Sequence, residues 1–378
     1  MDDALPSKLN TSFLTEYFSD IEDPRRTDKG NIRHRFSDIL LLVLVSVLCK
    51  CGEWDAMVLF GRQELEWFKR YGDFANGIPS KSTMQRVFRR LDPLAFRACF
   101  SRWAASLLGP GAAGTVAIDG KTVRGARDKG DPGDIAPHIL SAMACEAGIC
   151  IGQAAVGEKS NEISAAPALI SAIDVEGSTV TGDAMFCQRE IAGAVIEGGG
   201  QYLLAVKGNQ EGLLGAMTDT DRLERPSGTD VWEDCGHGRV EVRTAKVWKD
   251  LSHFDGVHLW PGLRSFVKVE KRTYHKKTGR EVAETRYYIS SLEPDAATAN
   301  AVARRHWAVE NKLHWTLDVV FGEDAARKRK GHSAENMNMV MKMAMALLVG
   351  ETSFKKSKNN KRLRALLDRE YREKLLGF

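Results

Sequence analysis

Asp119 and Asp183 each close a short apolar or β-branched run, Thr115 to Ile118 for the first and Ser178 to Thr181, followed by Gly182, for the second. Carboxylates at the carboxyl ends of neighbouring strands converge on one edge of a sheet, where hard cations find oxygen ligands. Asp119-Gly120 and Gly182-Asp183 are also common turn pairs, so either residue alone reads more simply as a turn. A third carboxylate, Glu310, lies in the dense segment Arg304-Arg305-His306-Trp307-Ala308-Val309-Glu310-Asn311-Lys312-Leu313-His314-Trp315. On an α-helix His306, Glu310 and His314 are spaced i, i+4, i+8 and share one face. A surface ion pair with Lys312 or an arginine is the plain alternative. Zinc held by the two histidines is another, although the H-E-x-x-H spacing is absent. Two strand-end aspartates and one helical glutamate are what phosphodiester cleavage by two divalent ions about 4 Å apart requires. Lys121, Arg124 and Lys207 are candidates to meet phosphate oxygens, and each is equally a plain surface cation.

The elements that would position these residues can be read along the chain. Helical periodicity runs through Phe36 to Leu48 and Trp54 to Phe68. Pro79 to Leu91 offers Ser80 or Ser82 as an N-cap and sets Met84, Val87, Phe88 and Leu91 apart from Arg86, Arg89 and Arg90. That is the pattern of a DNA recognition helix, and also of an ordinary amphipathic helix with solvated arginines. After Pro110-Gly111, strands are expected at Thr115 to Ile118, His138 to Cys145, Ile149 to Val156, Ser178 to Thr181 and Tyr202 to Val206. Helices are expected at Ser164 to Ile173 and Gln188 to Glu197, giving an α/β layer with a mixed sheet. Val231 to Leu292 alternates as antiparallel strands, with a hairpin about Lys277-Thr278-Gly279. A helix is expected over Ala296 to Leu317, and another capped by Ser333 through Leu348, whose methionines read as packing.

The balance of residue types narrows the class. With 378 residues, 43% hydrophobic and 28% charged, the chain is neither disordered nor a small disulfide scaffold. Its longest apolar run, Ile39 to Leu48, is too short to span a bilayer and the start is acidic, so a cytoplasmic, nucleoid-associated protein is expected. Seven scattered cysteines suggest reduced thiols and no structural zinc. Charge is uneven: residues 326–378 hold 14 Lys and Arg against 5 Asp and Glu, whereas the preceding residues hold 40 against 45. A tail with Arg327-Lys328-Arg329-Lys330 and then Lys355, Lys356, Lys358, Lys361, Arg362 and Arg364 suits a polyanion, or else a solvated helix face with a frayed end.

Several motifs now add up. Asp119-Gly120-Lys121-Thr122-Val123-Arg124-Gly125-Ala126, Glu158-Lys159-Ser160-Asn161-Glu162-Ile163, Gly182-Asp183-Ala184-Met185-Phe186-Cys187-Gln188, Lys207-Gly208-Asn209-Gln210, Gly236-His237-Gly238-Arg239 and the run from His306-Trp307 to Asp324 occur in this order. Over nearly its whole length the chain resembles bacterial insertion-sequence transposases of the ISAs type, which include the H-repeat-associated proteins. The resemblance implies an α/β fold: an RNase H-like mixed-sheet catalytic core with a β-strand insertion, preceded by a helical N-terminal domain. The corresponding segments are 1–110 (helical, DNA-binding or associated), 111–210 (first part of the core), 211–293 (β-rich insertion), 294–350 (helical remainder carrying the glutamate) and 351–378 (basic tail). It implies that Asp119, Asp183 and Glu310 are the catalytic and metal-binding acids, holding two Mg²⁺ ions for which Mn²⁺ can substitute. Arg86, Arg89, Arg90, Lys121, Arg124, Lys207, Arg305, His306, Arg327, Lys328 and Arg329 are then the candidate DNA contacts.

In related transposases with such an insertion an arginine often stands one turn before the glutamate; here His306 stands there with Arg305 beside it. Glu162, Asp318, Glu323 and Asp324 are further acidic candidates, Glu162 as a helix start and Asp318 and Asp324 as supports of the site or partners of Arg327. The partners implied are double-stranded DNA, as transposon ends and target, and further copies of the chain on DNA, at least a dimer; no membrane is implied. The expected activity is metal-dependent cleavage of transposon ends and strand transfer of the 3′-hydroxyl. The alternatives are a transposase-derived regulatory DNA binder and a metal-dependent nuclease that does not join strands.

Overall fold

The computed structural model describes residues 12–26, 30, 32–109, 114–127, 135–157, 161–236, 238–252 and 254–378. The compositional change at Pro110-Gly111, the Glu158 to Ser160 part of one motif and His237 of another lie outside them. Six helices come first: α1 (Ser12–Phe18), α2 (Phe36–Leu48), α3 (Trp54–Gln63), α4 (Leu65–Phe68), α5 (Lys81–Arg90) and α6 (Pro93–Leu108). Ser80 caps α5 by accepting the Thr83 N–H, and Asp92 caps α6 ahead of Pro93 in its first turn. The expected Trp54 to Phe68 helix is broken at Glu64 into α3 and α4. Then follow β1 (Thr115–Thr122), β2 (His138–Ala144), β3 (Ile149–Val156), α7 (Glu162–Ser171), β4 (Thr179–Gly182), α8 (Arg189–Glu197), β5 (Gln201–Val206) and α9 (Glu211–Leu223). The strands β6 (Gly228–Gly236), β7 (Arg239–Trp248), β8 (Ser265–His275) and β9 (Arg280–Ser290) complete the sheet. The last helices are α10 (Ala296–Arg305), α11 (Ser333–Gly350), α12 (Lys358–Leu367) and α13 (Arg369–Leu376).

All nine strands join one sheet in the order β3-β2-β1-β4-β5-β9-β8-β7-β6. β4 and β5 run parallel to β1 while β2 and β3 are antiparallel, which makes the first five strands the RNase H-like mixed sheet. The β-rich segment is an extension of that sheet, because β9 returns antiparallel to β5. Alternation along β3 shows what covers each face. Gln153 points to α11, where its Oε1 accepts from Lys342, while Gly152 faces Leu169 of α7 and Ser101 of α6. The core sheet is thus sandwiched between α11 and the pair α6 and α7. α11 is buried over nearly its whole length, and Met337, Met339, Met341, Met343 and Met345 are packing residues. Ser333 is itself buried in the first turn of α11 and its side chain does not cap it, so the expected cap is corrected.

The C-terminal residues are not a frayed basic end. α12 and α13 fold back onto the first helices, and several of their cations are structural. Arg362 donates to the backbone oxygens of Val47 and Val320, and Lys361 to those of Leu348 and Glu351. The Arg372 side chain is wholly buried: it donates to the Ala365 and Leu366 carbonyls, pairs with Glu64 at 2.8 Å and lies over the Phe60 and Trp67 rings. Burial alone would raise the Glu64 pKa, but hydrogen bonds from Arg369 and Arg372 outweigh it and hold the carboxyl below its ordinary 4.5.

Arg372→Ala removes one buried partner and should destabilise the protein by about 3 kcal/mol or more in urea unfolding at pH 7. Because the folded pKa of Glu64 is depressed, the pair contributes fully above about pH 4.5 and its contribution is lost as pH falls through the folded value. The deficit of the variant should therefore shrink in acid; a deficit that is small at pH 7, or independent of pH, would show that this pair does not hold the tail.

Candidate active site

The register of β1 and β4 brings the two aspartates together. Their parallel pairing ends at Ile118 and Gly182, so Asp119 and Asp183 are the next positions on neighbouring strands. β1 runs on through Asp119 to Thr122 against β2, so Asp119 lies within a strand on one side and beyond the parallel pairing on the other. Asp183 leaves β4 and opens a single 3₁₀ turn at Ala184–Phe186.

The helix expected over Ala296 to Leu317 is regular only to Arg305. It continues through a turn at His306 and Trp307 into wide, π-wound stretches, Val309–His314 and Thr316–Val320. Wide turns of this kind add a residue to each turn and change which side chains share a face. His314 is buried and its Nε2 lies 3.1 Å from Asp119 Oδ2, whereas His306 Nε2 lies 3.6 Å from Asp183 Oδ1. The segment therefore runs from one aspartate to the other with Glu310 between its ends. Val309 and Leu313 point into the core and Glu310 is exposed, so the three residues do not share one face as an α-helix would place them. Among the described residues the Glu310 carboxylate has no hydrogen-bond or ion-pair partner.

Electrostatics single out two more residues. The close approach of His306, opposed by burial and helped by the charges of His306, Lys207 and Arg286, holds the Asp183 carboxyl below its ordinary value. Glu162, in the first turn of α7, is pushed the other way: burial raises its pKa, His138 lowers it, and the charges of Asp119 and Asp183 raise it further. Glu162 therefore lies within electrostatic reach of both aspartates. His138 Nε2 is 2.7 Å from Glu162 Oε1, and the same ring meets Thr122 Oγ1 through Nδ1 at 2.8 Å. Sequence reading weighed Glu162 but missed His138, whose sole signal was its place at the head of a strand.

The other candidates are distributed as follows. The Lys121 ammonium is held by Asp318 at 2.5 Å, by Glu323 and by Asp324 at 3.5 Å, so Asp318 and Asp324 pair with Lys121 and not with Arg327. Among the described residues this acidic trio is the group of three with ligand atoms mutually within 4.8 Å, and the Lys121 ammonium is paired with all three. Arg124 and Lys207 are exposed, and Arg305, also exposed, lies 3.3 Å from Glu146. Lys328 is buried against the Trp54 ring and beside Glu53, with a pKa lowered by that burial.

Arg86, Arg89 and Arg90 are exposed on α5, where the segment leading into α11 docks: His332 N–H reaches the Arg89 carbonyl and Asn336 donates to those of Phe88 and Leu91. Arg86, Arg89 and residues Arg327 to Lys330 line a groove of about 440 Å³. A second groove of about 510 Å³ on the other side of Arg86 is lined by Arg25, Arg26, Arg33, His34 and Arg90.

Carboxylates at the ends of parallel strands in a sheet of this topology define the RNase H-like class of nucleic-acid enzymes. Residues 110–348 match the family described as "Transposase DDE domain", and residues 15–104 match the one described as "DDE_Tnp_1-associated". The chain belongs to the Transposase DDE domain family, whose members cut and join DNA. It is 38% identical over 98% of its length to "Putative transposase YncI" of Escherichia coli O157:H7, covering 95% of that protein. It is 37% identical over 96% of its length to "H repeat-associated putative transposase YhhI" of Escherichia coli strain K12, covering 97% of that protein. Among solved structures it is similar to a piggyBac transposase in a synaptic complex with hairpin DNA, at 13% identity and a TM-score of 0.44, over 99% of this chain and 80% of that one. Among the described residues no helix is long and apolar enough to cross a membrane.

The family implies divalent-metal use; among the described residues the proposed acids do not form a group of three with ligand atoms within 4.8 Å, but the two aspartates offer oxygen donors for it. Asp119 and Asp183 each commit one oxygen to a histidine, and among the described residues the other oxygen of each has no hydrogen bond. Such oxygens are ligands for hard cations. The neighbouring trio, filled by Lys121, is a structural hub. Lys121→Met would leave the Glu323 carboxylate, 2% exposed, without its cation. The variant should lose about 3 kcal/mol of stability, little changed between low and high salt, because buried pairs are weakly screened. A small loss that disappears in 1 M salt would mark the hub as a solvated surface network.

Proposed function

We propose that this chain is an insertion-sequence transposase that cleaves the ends of its element and joins the freed 3′-hydroxyl ends to target DNA in a Mg²⁺-dependent reaction, with Mn²⁺ able to substitute. The observation that carries the reading is the parallel pairing of β1 and β4, which ends one residue before Asp119 and Asp183, with a helical segment running from one aspartate to the other and bearing Glu310. Asp119, Asp183 and Glu310 would hold two divalent ions. Once bound, the ions supply charge stabilisation to the attacking and departing oxygens of a phosphodiester.

The chain's own residues supply position and charge. His314 and His306 orient one oxygen of each aspartate. Lys207 and Arg286 add positive charge on the Asp183 side, where a strand's phosphates would approach. In cleavage, water forms the new bond to phosphorus and the 3′-oxygen departs. In joining, that 3′-hydroxyl forms the bond to a target phosphorus and the target's own 3′-oxygen departs. Both displacements use one geometry, so one site serves both.

The two grooves that share Arg86 suit the backbone of duplex DNA, and their arginines would fix its register through phosphates. Arg86, Arg89, Arg90, Arg327 and Arg329 are the contacts proposed there, with Arg124 and Arg305 nearer the acids. Paired ends call for two copies of the chain, so the active form is proposed as a homodimer or larger assembly on DNA.

Asp119→Asn, Asp183→Asn and Glu310→Gln should each lower Mg²⁺-dependent cleavage of a duplex carrying the element's end by about 10³-fold or more while leaving binding in EDTA intact. Undiminished cleavage by either aspartate variant would end the reading. Arg86→Ala with Arg89→Ala should leave the acid site untouched, weaken DNA binding at all sequences, and reduce the slope of log K against log salt by about two. An unchanged slope would place the DNA elsewhere.

A further inference from the structure

Glu162 is poorly explained as a structural residue. Its Oε1 meets His138, but its Oε2 is buried and among the described residues has no hydrogen-bond partner. An unpaired carboxylate oxygen out of contact with water is costly unless something positive meets it. Among the described residues nothing on its own side of the sheet does so, since His138 is already shared between Oε1 and Thr122.

The backbone has made room for this carboxyl group. A Cβ at Gly120, the residue after Asp119, would stand 2.4 Å from Glu162 Cδ and 2.4 Å from His138 Nε2. Gly120 has no unusual backbone angle among the glycines of the chain, so conformational freedom does not explain it. What it supplies is the absence of a side chain where Glu162 presses against β1. The side chains alternate: Asp119 and Lys121 point to the face covered by the segment 314–324, and Gly120 points to the face covered by α7. Glu162 therefore approaches the strand ends from the side opposite to the histidine-bearing segment.

We infer that Glu162 is a further ligand of the divalent cation held by Asp119 and Asp183, with Oε2 as the donor atom and His138 as the residue that orients it. The inference rests on the metal-site reading above and adds to it a carboxylate on α7, outside the Asp119, Asp183 and Glu310 set. His138 is then a positioning residue. With the proton on Nε2 the ring donates to Oε1, and the Thr122 hydroxyl donates to Nδ1, which leaves Oε2 free.

The test is Mn²⁺ binding to the full-length protein without DNA, followed by the paramagnetic resonance signal of the free ion, together with thermal melting in EDTA and in Mn²⁺. Glu162→Gln keeps the size of the side chain and can still accept from His138. It should weaken Mn²⁺ binding by at least about tenfold, as Asp119→Asn does, because each removes a charged ligand. In EDTA its melting temperature should equal or exceed that of the unaltered protein, since repulsion with Asp119 and Asp183 is relieved, and the rise on adding Mn²⁺ should be smaller. If Asp119→Asn weakens binding while Glu162→Gln binds Mn²⁺ like the unaltered protein and melts lower in EDTA, Glu162 is a structural partner of His138 and the inference falls, leaving the aspartate site standing. If Asp119→Asn, Asp183→Asn and Glu162→Gln all bind as the unaltered protein does, the metal-site reading falls with it.

Discussion

Like charges gathered at the ends of two parallel strands repel one another, and much of the molecule is arranged around that repulsion. Strand register sets Asp119 beside Asp183, and Glu162 comes to them from the other face of the sheet. The partners given to these acids are mainly imidazoles: His314 for Asp119, His306 for Asp183, His138 for Glu162. Each imidazole meets one oxygen of its carboxylate, and among the described residues the second oxygen of each has no hydrogen bond. A few residues away, Asp318, Glu323 and Asp324 form a tighter acidic group whose partner is the permanent cation of Lys121. The contrast assigns the two groups different work. The one closed by a lysine fastens β1 to the segment after Glu310, and the one closed by imidazoles keeps its capacity for an added cation.

The antiparallel strands between β5 and α10 take part in this balance. Because β9 pairs with β5, the extension returns the chain to the core at the level of the acidic site and delivers α10 across β6, β7 and β8. Lys271 of β8 and Arg286 of β9 lie over the ring of Trp307, the residue after His306, and the charge of Arg286 lowers the Asp183 pKa. A segment that reads as an inserted β unit is thus coupled to the helix that meets the aspartates. Cation–π contact at the turn between α10 and the wide helical stretch holds that turn where His306 can reach Asp183.

What the sequence disclosed follows from how local each signal is. The strand end marked by Gly182-Asp183, the Ser80 cap of α5 and the hairpin about Thr278-Gly279 are fixed by neighbours in the chain and are found, whereas Asp119-Gly120 is not a strand end, because pairing with β2 carries β1 on to Thr122. The wide winding after Arg305 has no such local signature. Helix formers without Gly or Pro predict regular α geometry, and tertiary contacts of His306 and His314 with two different strands accompany the extra residues per turn. The partners of Lys121 and Glu162 were hidden for a related reason. Lys121 lies about two hundred positions from the carboxylates it binds, and Gly120 reads as half of a turn until the carboxyl group of α7 is seen filling the space its missing side chain leaves.

Charge counted along a sequence gives sign but not place, and the basic C-terminal residues show the difference. Arg362, Arg372 and Lys361 are consumed by backbone carbonyls and buried acids, where a guanidinium or ammonium satisfies several acceptors that helix ends leave open. Arg327 and Lys330 are exposed instead, set beside α5 by the hydrogen bonds of Asn336 and the close approach of Gly331 to the Arg89 carbonyl. A Cβ at Gly331 would stand 2.6 Å from that carbonyl oxygen, so the glycine permits the contact as well as the positive φ. The basic surface is therefore a product of folding. Two arginine-bearing stretches some 240 residues apart form one field only when α11 is docked on α5, and the hub at Lys121 that steadies the acidic site also ties down the chain leading into that field.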